Sequence, residues 1–132
     1  MPTVYLETSI ISYLASRPSR DLIVAAHQQI TQDWWETRHE WELLISALVI
    51  SESQAGDAEA AKRCLKYIQD LPILRLNDAV IDLAEKFLNG SALPPKAKDD
   101  ALHIAIAVVY KVNYLLTWNC KHIANANKRP MI

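Results

Sequence analysis

Runs rich in β-branched and aromatic residues alternate with longer helical stretches along this chain, and few folds accommodate such an alternation. Residues 3–7, TVYLE, read as a buried first strand. Thr8 and Ser9 are placed to cap a short helix through Tyr13 and Leu14, which Pro18 ends. Asp21 opens a long helical stretch, LIVAAHQQITQDWWETRH, in which Ile23, Ala26, Ile30 and Trp34 make one apolar face. WELLISA at 41–47 reads as a second strand, followed by a helix over Leu48–Gln54 that Gly56 breaks. Asp57 caps the next helix, Ala58–Gln69. Pro72-Ile73-Leu74 is a short strand, and Asn77 caps a helix over Asp78–Leu88 that ends at Asn89-Gly90. A loop with Pro94-Pro95 leads into a strongly helical segment, Lys98–Lys111. Residues 113–117, NYLLT, form a further strand, and Cys120–Asn127 reads as a final short helix. Strands alternating with helices imply a parallel sheet with right-handed crossovers, hence an α/β domain.

At 132 residues the chain fits one domain, 1–132. Apolar residues make up 51%, enough for a core that needs no disulfide or metal staple. With 22% charged residues and a net charge of −1, the chain lacks the composition of a disordered segment. Cys64 and Cys120 belong to no Cys-x-x-Cys pair and read as reduced thiols, which places the chain in the cytoplasm. The start, MPTVYLETSII, has no basic stretch and carries Glu7 within its apolar run, so it does not read as a signal peptide. No uncharged apolar run reaches the ~18 residues of a membrane span, and the longest, ALHIAIAVVY, reads as a buried helix. Near-neutrality is unusual for a nucleic-acid binder. An RNA substrate would have to meet local clusters: Arg17 with Arg20, Lys62 with Arg63 and Lys66, Lys96 with Lys98, or Lys128 with Arg129. Each cluster taken singly reads as solvated surface.

Sites on an open parallel sheet form at the carboxyl ends of strands. Glu7 ends the first strand, and Glu52 lies one to two helical turns beyond the second. Asp99 and Asp100 open the apolar helix, and Asn119 follows the last strand. Four separated segments thus each bring an oxygen-bearing side chain toward one edge. Carboxylates gathered there repel, and each has its pKa raised unless something neutralises them. A hard divalent cation, Mg²⁺ or Mn²⁺, resolves this, since both suit oxygen donors. Such an ion polarises a phosphoryl oxygen and acidifies a bound water for in-line attack on phosphorus. Plainer readings stand beside these. Glu7 also reads as a solvated strand end and Glu52 as an exposed helical residue. The helix dipole accounts for one acid at 99 or 100 through ~0.3–1 kcal/mol, while the apolar run after Asp100 turns that residue inward. His103 reads first as a satisfied core histidine, Lys121 and His122 as surface residues at a helix start, and Trp118 as core rather than a platform for bases.

The segments YLETSIISYL, ISESQAGD, DDALHIAIA and LLTWNCKHIANA, in that order, resemble the PIN-domain family, most closely the VapC-type toxins of bacterial toxin–antitoxin systems. The resemblance runs from the first strand to about residue 127. It implies a three-layer α/β/α PIN-like domain with a mainly parallel sheet of about four to five strands. It also implies an endoribonuclease whose acids bind Mg²⁺ or Mn²⁺, acting on RNA as a homodimer held inactive by a cognate antitoxin. By position the acids are Glu7, Glu52 and Asp100, with Asn119 at the fourth polar position. A hydroxyl of Thr8 or Ser9 belongs beside the metal, and Asp99 and His103 are auxiliary candidates.

Three features depart from the family. Glu7 stands where the family has Asp, and one extra methylene moves an ion by about an ångström, a misplacement that can cost ~10²-fold in rate. Asn119 carries no charge, so it ligates through its carbonyl oxygen or holds a water, and one metal ion is expected rather than two. The chain ends KRPMI where family members continue into a further strand, so the expected sheet is one strand shorter or a partner supplies its edge. These departures keep a second reading open: a catalytically degenerate PIN domain that binds RNA or protein without cutting. Outside the family, a receiver-like or phosphatase-like module would need a phosphorylatable acid after the first strand, a place normally taken by Asp.

Overall fold

The computed structural model describes residues 1–90 and 97–119. Four strands, β1 (Thr3–Leu6), β2 (Glu42–Ser46), β3 (Ile73–Leu74) and β4 (Tyr114–Leu116), pair in parallel in the order β3-β2-β1-β4. Val4 stands opposite Leu43 on one side and Tyr114 on the other, and Ile45 stands opposite Ile73. Between the strands run α1 (Thr8–Ala15), α2 (Leu22–Trp35), α3 (Ala47–Gln54), α4 (Ala58–Ile68), α5 (Asp78–Asn89) and α6 (Lys98–Val109). The helices fall into two packed groups: α1 touches α2, α3 and α4, while α5 lies along α6. This is the α/β fold with a parallel sheet that the sequence implies.

A central parallel strand is covered on both faces, so every position must tolerate burial. In β1, Val4, Tyr5 and Leu6 are at most 3% exposed. Ile10, Ile11 and Leu14 of α1, Val49 of α3, and Ile104 and Ile106 of α6 complete the core around it. The helix starts follow capping chemistry. Asp21 accepts the N–H groups of Ile23 and Val24, Asp57 that of Ala60, and Asn77 that of Val80, as the sequence predicts.

In the first two helices, two local expectations fail for identifiable reasons. Thr8 and Ser9 do not cap α1. The helix begins one residue earlier, Glu7 takes the capping position, and the two hydroxyls lie inside the first turn and donate to carboxylates instead. Most of the expected apolar face of α2 is turned outward: Ile23 is 70% and Ile30 54% exposed and Ala26 is exposed, while Trp34 packs against the core and Gln28 and Thr31 are buried. The inward side of α2 meets irregular chain whose polar groups need partners. Gln28 donates to Ser16 Oγ at 2.7 Å and Arg17 O at 3.0 Å and accepts from the Ser19 N–H at 3.0 Å. Thr31 accepts from Trp118 Nε1 at 2.8 Å.

Helix α6 stops at Val109, and the chain turns through Lys111 with φ 55°, the left-handed region, so the expected extension to Lys111 is a turn. Cys64 is a buried free thiol. Pro94-Pro95, Cys120 and the expected helix Cys120–Asn127 lie outside the described residues. Among the described residues, no helix is long and apolar enough to cross a membrane. From β1 the chain proceeds to β2 and β3 on one side and comes back to β4 on the other. The order reverses across β1, and in such sheets a crevice opens beyond the carboxyl ends at the reversal.

Candidate active site

Glu7 sits at that reversal. Its N–H bonds Leu116 O at 3.1 Å, which continues the β1–β4 ladder, and its side chain is buried, at 6% exposed. Oε1 of Glu7 accepts from Ser9 Oγ at 2.5 Å and Thr117 Oγ1 at 2.6 Å. Each hydroxyl also accepts a backbone N–H from the exit of β4: Trp118 N donates to Ser9 at 2.9 Å and Asn119 N to Thr117 at 2.8 Å. The carboxylate and two hydroxyls thereby join the exits of β1 and β4. Asn119 Nδ2 donates to Asp100 Oδ1 at 2.8 Å, which links the start of α6 to the same set.

Glu52, half-buried on α3, is held from below. Its Oε1 accepts from the Thr8 hydroxyl and lies 2.7 Å from Nε2 of His103, which is 1% exposed. Nδ1 of His103 is 2.7 Å from the Tyr5 hydroxyl, which is 2.8 Å from Ser46 Oγ. Ser46 in turn accepts the Val49 N–H at 3.3 Å. One ligand-capable atom from each of Glu7, Glu52 and His103 lies within 4.8 Å of the others.

The expectation that every gathered acid has its pKa raised is overturned at Glu52. Burial does push it up, but the hydrogen bonds with His103 and Thr8 outweigh burial, with smaller contributions from electrostatic attraction to His103 and from Asp99, and the carboxyl sits below its ordinary range. Burial pushes the Tyr5 phenol well above its ordinary value, so it stays a neutral hydroxyl.

The structure thus brings Glu7, Glu52 and His103 together, connects Asp99 to Glu52, and joins Asp100 to Asn119. Thr8 and Ser9 do lie beside the acids. Sequence reasoning missed Thr117, Tyr5 and Ser46. A phenol inside a strand buried on both faces needs a polar partner, which was the available signal for Tyr5. Trp118 packs against the core, stacked on His27 with ring centres 4.1 Å apart, in keeping with its reading as core. Of the basic clusters, Arg17 pairs with Glu59 at 3.2 Å, and Arg63 donates to Ala15 O at 2.7 Å. Lys96, Lys121, His122, Lys128 and Arg129 lie outside the described residues.

The donor chemistry fits a hard divalent ion. Glu7, Glu52, Asp100 and the Asn119 amide offer oxygen, and among the described residues no Lys, Arg or His forms an ion pair with Glu7.

No family model matches the sequence, and no curated protein matches it. Among solved structures, the chain is similar to VapC20 of Mycobacterium tuberculosis, described as a sarcin–ricin loop cleaving toxin. The TM-score is 0.71 at 12% identity, over 92% of this chain and 93% of that one. The chain has the fold of a VapC toxin. Nearly the full length of VapC20 is covered, so the likeness is to the whole fold and not to one part of it. The PIN-like architecture implied by the sequence segments is therefore present, with four strands among the described residues.

Proposed function

We propose that this chain, one PIN-like domain over 1–132, is a metal-dependent endoribonuclease, a VapC-like toxin that cleaves phosphodiester bonds in RNA. One observation carries the reading. Buried Glu7 and half-buried Glu52 bring carboxylate oxygens within 4.8 Å of each other at the end of the central strand, and neither pairs with Lys or Arg among the described residues. Two such charges call for a divalent cation.

Glu7, Glu52 and Asp100 would hold Mg²⁺ or Mn²⁺, with Asn119 contributing its amide oxygen. When bound, the ion supplies Lewis-acid polarisation of a phosphoryl oxygen and an acidified water. The chain's own residues prepare the ligands. Both hydroxyl contacts to Glu7 fall on Oε1, as do the Thr8 and His103 contacts to Glu52. Oε1 of each acid is thus spent on orientation by these contacts. Asn119 spends Nδ2 on Asp100, which leaves its carbonyl oxygen as the ligand-capable atom. The likeness to VapC20, which is described as cleaving the sarcin–ricin loop, supports RNA as the substrate class. A homodimer, a cognate antitoxin and action in the cytoplasm belong to the same reading.

The test is cleavage of total RNA by the purified chain in Mg²⁺, Mn²⁺ or EDTA, beside Asp100→Asn. Cleavage that requires both the ion and Asp100 is expected. A folded chain that binds RNA and cuts it with neither ion would instead be the degenerate binding domain.

A further inference from the structure

The geometry that brings Nε2 of His103 close enough to ligate an ion shared with Glu7 and Glu52 also occupies it. Both ring nitrogens are engaged in a buried chain of hydrogen bonds, and counting donors gives the chain a direction. Ser46 Oγ accepts the Val49 N–H, and the acceptor within reach of its own proton among the described residues is the Tyr5 oxygen, so the direction that satisfies Ser46 has it donating to Tyr5. Tyr5 then donates to Nδ1, and the ring keeps its proton on Nε2, where it donates to Glu52. Run this way, every buried polar atom of the chain has a partner. Presenting a bare Nε2 to a metal requires the reverse: Nδ1 donating to Tyr5, and Tyr5 to Ser46. The Ser46 O–H then has no acceptor among the described residues, and Glu52 loses its bond from the ring.

We propose that Ser46, Tyr5 and His103 act as a tautomer lock: they hold the Nε2 proton on Glu52, keep that nitrogen out of the ion's coordination, and so reserve the site for cations that take oxygen alone. Mg²⁺ and Mn²⁺ are such cations, whereas Zn²⁺ favours imidazole. His103 is then a positioning residue and not a ligand. The inference rests on the metal-site reading above. Orphaning one buried polar group weakens Zn²⁺ ligation by about tenfold or more. Tyr5→Phe removes the part of the lock that Ser46 and Tyr5 supply, because Nδ1 and the Ser46 O–H then lack that partner in either tautomer and only the bond to Glu52 still opposes a bare Nε2.

The experiment uses the full chain labelled with ¹⁵N-histidine, long-range ¹H–¹⁵N correlation spectra, and calorimetric titration with Mg²⁺ and Zn²⁺. The chain has four histidines, and His103→Gln assigns the ring. In the wild type, His103 should be the Nε2–H tautomer, unchanged by Mg²⁺ and not moved to a metal-bound position by one equivalent of Zn²⁺. In Tyr5→Phe, Zn²⁺ should bind about tenfold more tightly with Nε2 ligated, and the double variant Tyr5→Phe/His103→Gln should lose that gain. An Nδ1–H tautomer in the wild type, or Zn²⁺ ligated by wild-type His103 in a chain that binds Mg²⁺, would overturn the lock alone. A wild-type chain that binds no Mg²⁺ would overturn the ribonuclease reading and the lock with it. The wild-type spectrum decides the matter even if Tyr5→Phe does not fold.

Discussion

The two halves of the acid cluster are held by different means. Glu52 rests on a buried column, His103, Tyr5 and Ser46, drawn from α6, β1 and the end of β2. Glu7 is held by hydroxyls at the exits of β1 and β4, Ser9 and Thr117. The column is inside the core, so its members serve folding and the site together. The hydroxyls sit on chain that has just left the sheet, so they serve the site at little cost to the core. Substitutions should therefore separate the halves: one loses stability and function together, the other loses function first.

The largest effects belong to the acids themselves. Asp100→Asn and Glu52→Gln should lower the initial rate of RNA cleavage by more than the ~10–100-fold that loss of an outer partner costs. Glu7→Asp keeps the charge but shortens a side chain whose Oε1 is fixed by two hydroxyls. It should slow cleavage ~10²-fold. A rate equal to or above wild type would break the idea that this half is built around Glu.

Next come the two supports. His103→Ala empties a buried site and orphans Tyr5, so it should cost about 2–5 kcal/mol in urea unfolding and also weaken Mn²⁺ binding. Thr117→Val removes the donor to Glu7 and the acceptor for the Asn119 N–H. It should cost about 1 kcal/mol of stability but ~10–100-fold in Mn²⁺ affinity, and Thr117→Ser should restore most of that. Equal stability losses in the two variants would erase the contrast between the halves.

The strands and the Asp21, Asp57 and Asn77 caps were legible because each follows from local rules: apolar runs at fixed lengths, and Asp or Asn before a helix. Strand ends point Glu7 and Glu52 to one edge, where the structure brings them within 4.8 Å of each other. The supports were not legible, because Tyr5, Ser46, His103 and Thr117 derive their roles from neighbours 41 to 110 residues away. Helix α2 shows the opposite failure. Its spacing makes an apolar face, but which face turns inward was decided by the polar needs of the Ser16–Ser19 turn and Trp118, and these favour Gln28 and Thr31. A consequence is that Ile23→Ser, at 70% exposure, should change stability by no more than about 0.5 kcal/mol in the same urea assay.

The effect that isolates the Glu52 half from everything else is in the acid limb. The Glu52 carboxyl lies below 4.5 in the folded chain because the bonds from His103 and Thr8 outweigh burial. A depressed folded pKa means that the ionised form is favoured by folding. Its contribution is complete above the unfolded value and fades as pH falls through the folded one. Glu52→Gln has no such contribution. In EDTA, the stability difference between wild type and Glu52→Gln should therefore shrink as pH falls through and below the ordinary carboxyl range. Thr8→Val removes one of the two bonds, raises the folded pKa, and should make that shrinkage begin at higher pH. Glu7 is held without an imidazole, so Thr117→Val should leave the onset where it is in the wild type. A difference that stays flat with pH would mean that the buried column does not hold Glu52 ionised, and the distinction between the two halves would then rest on packing alone.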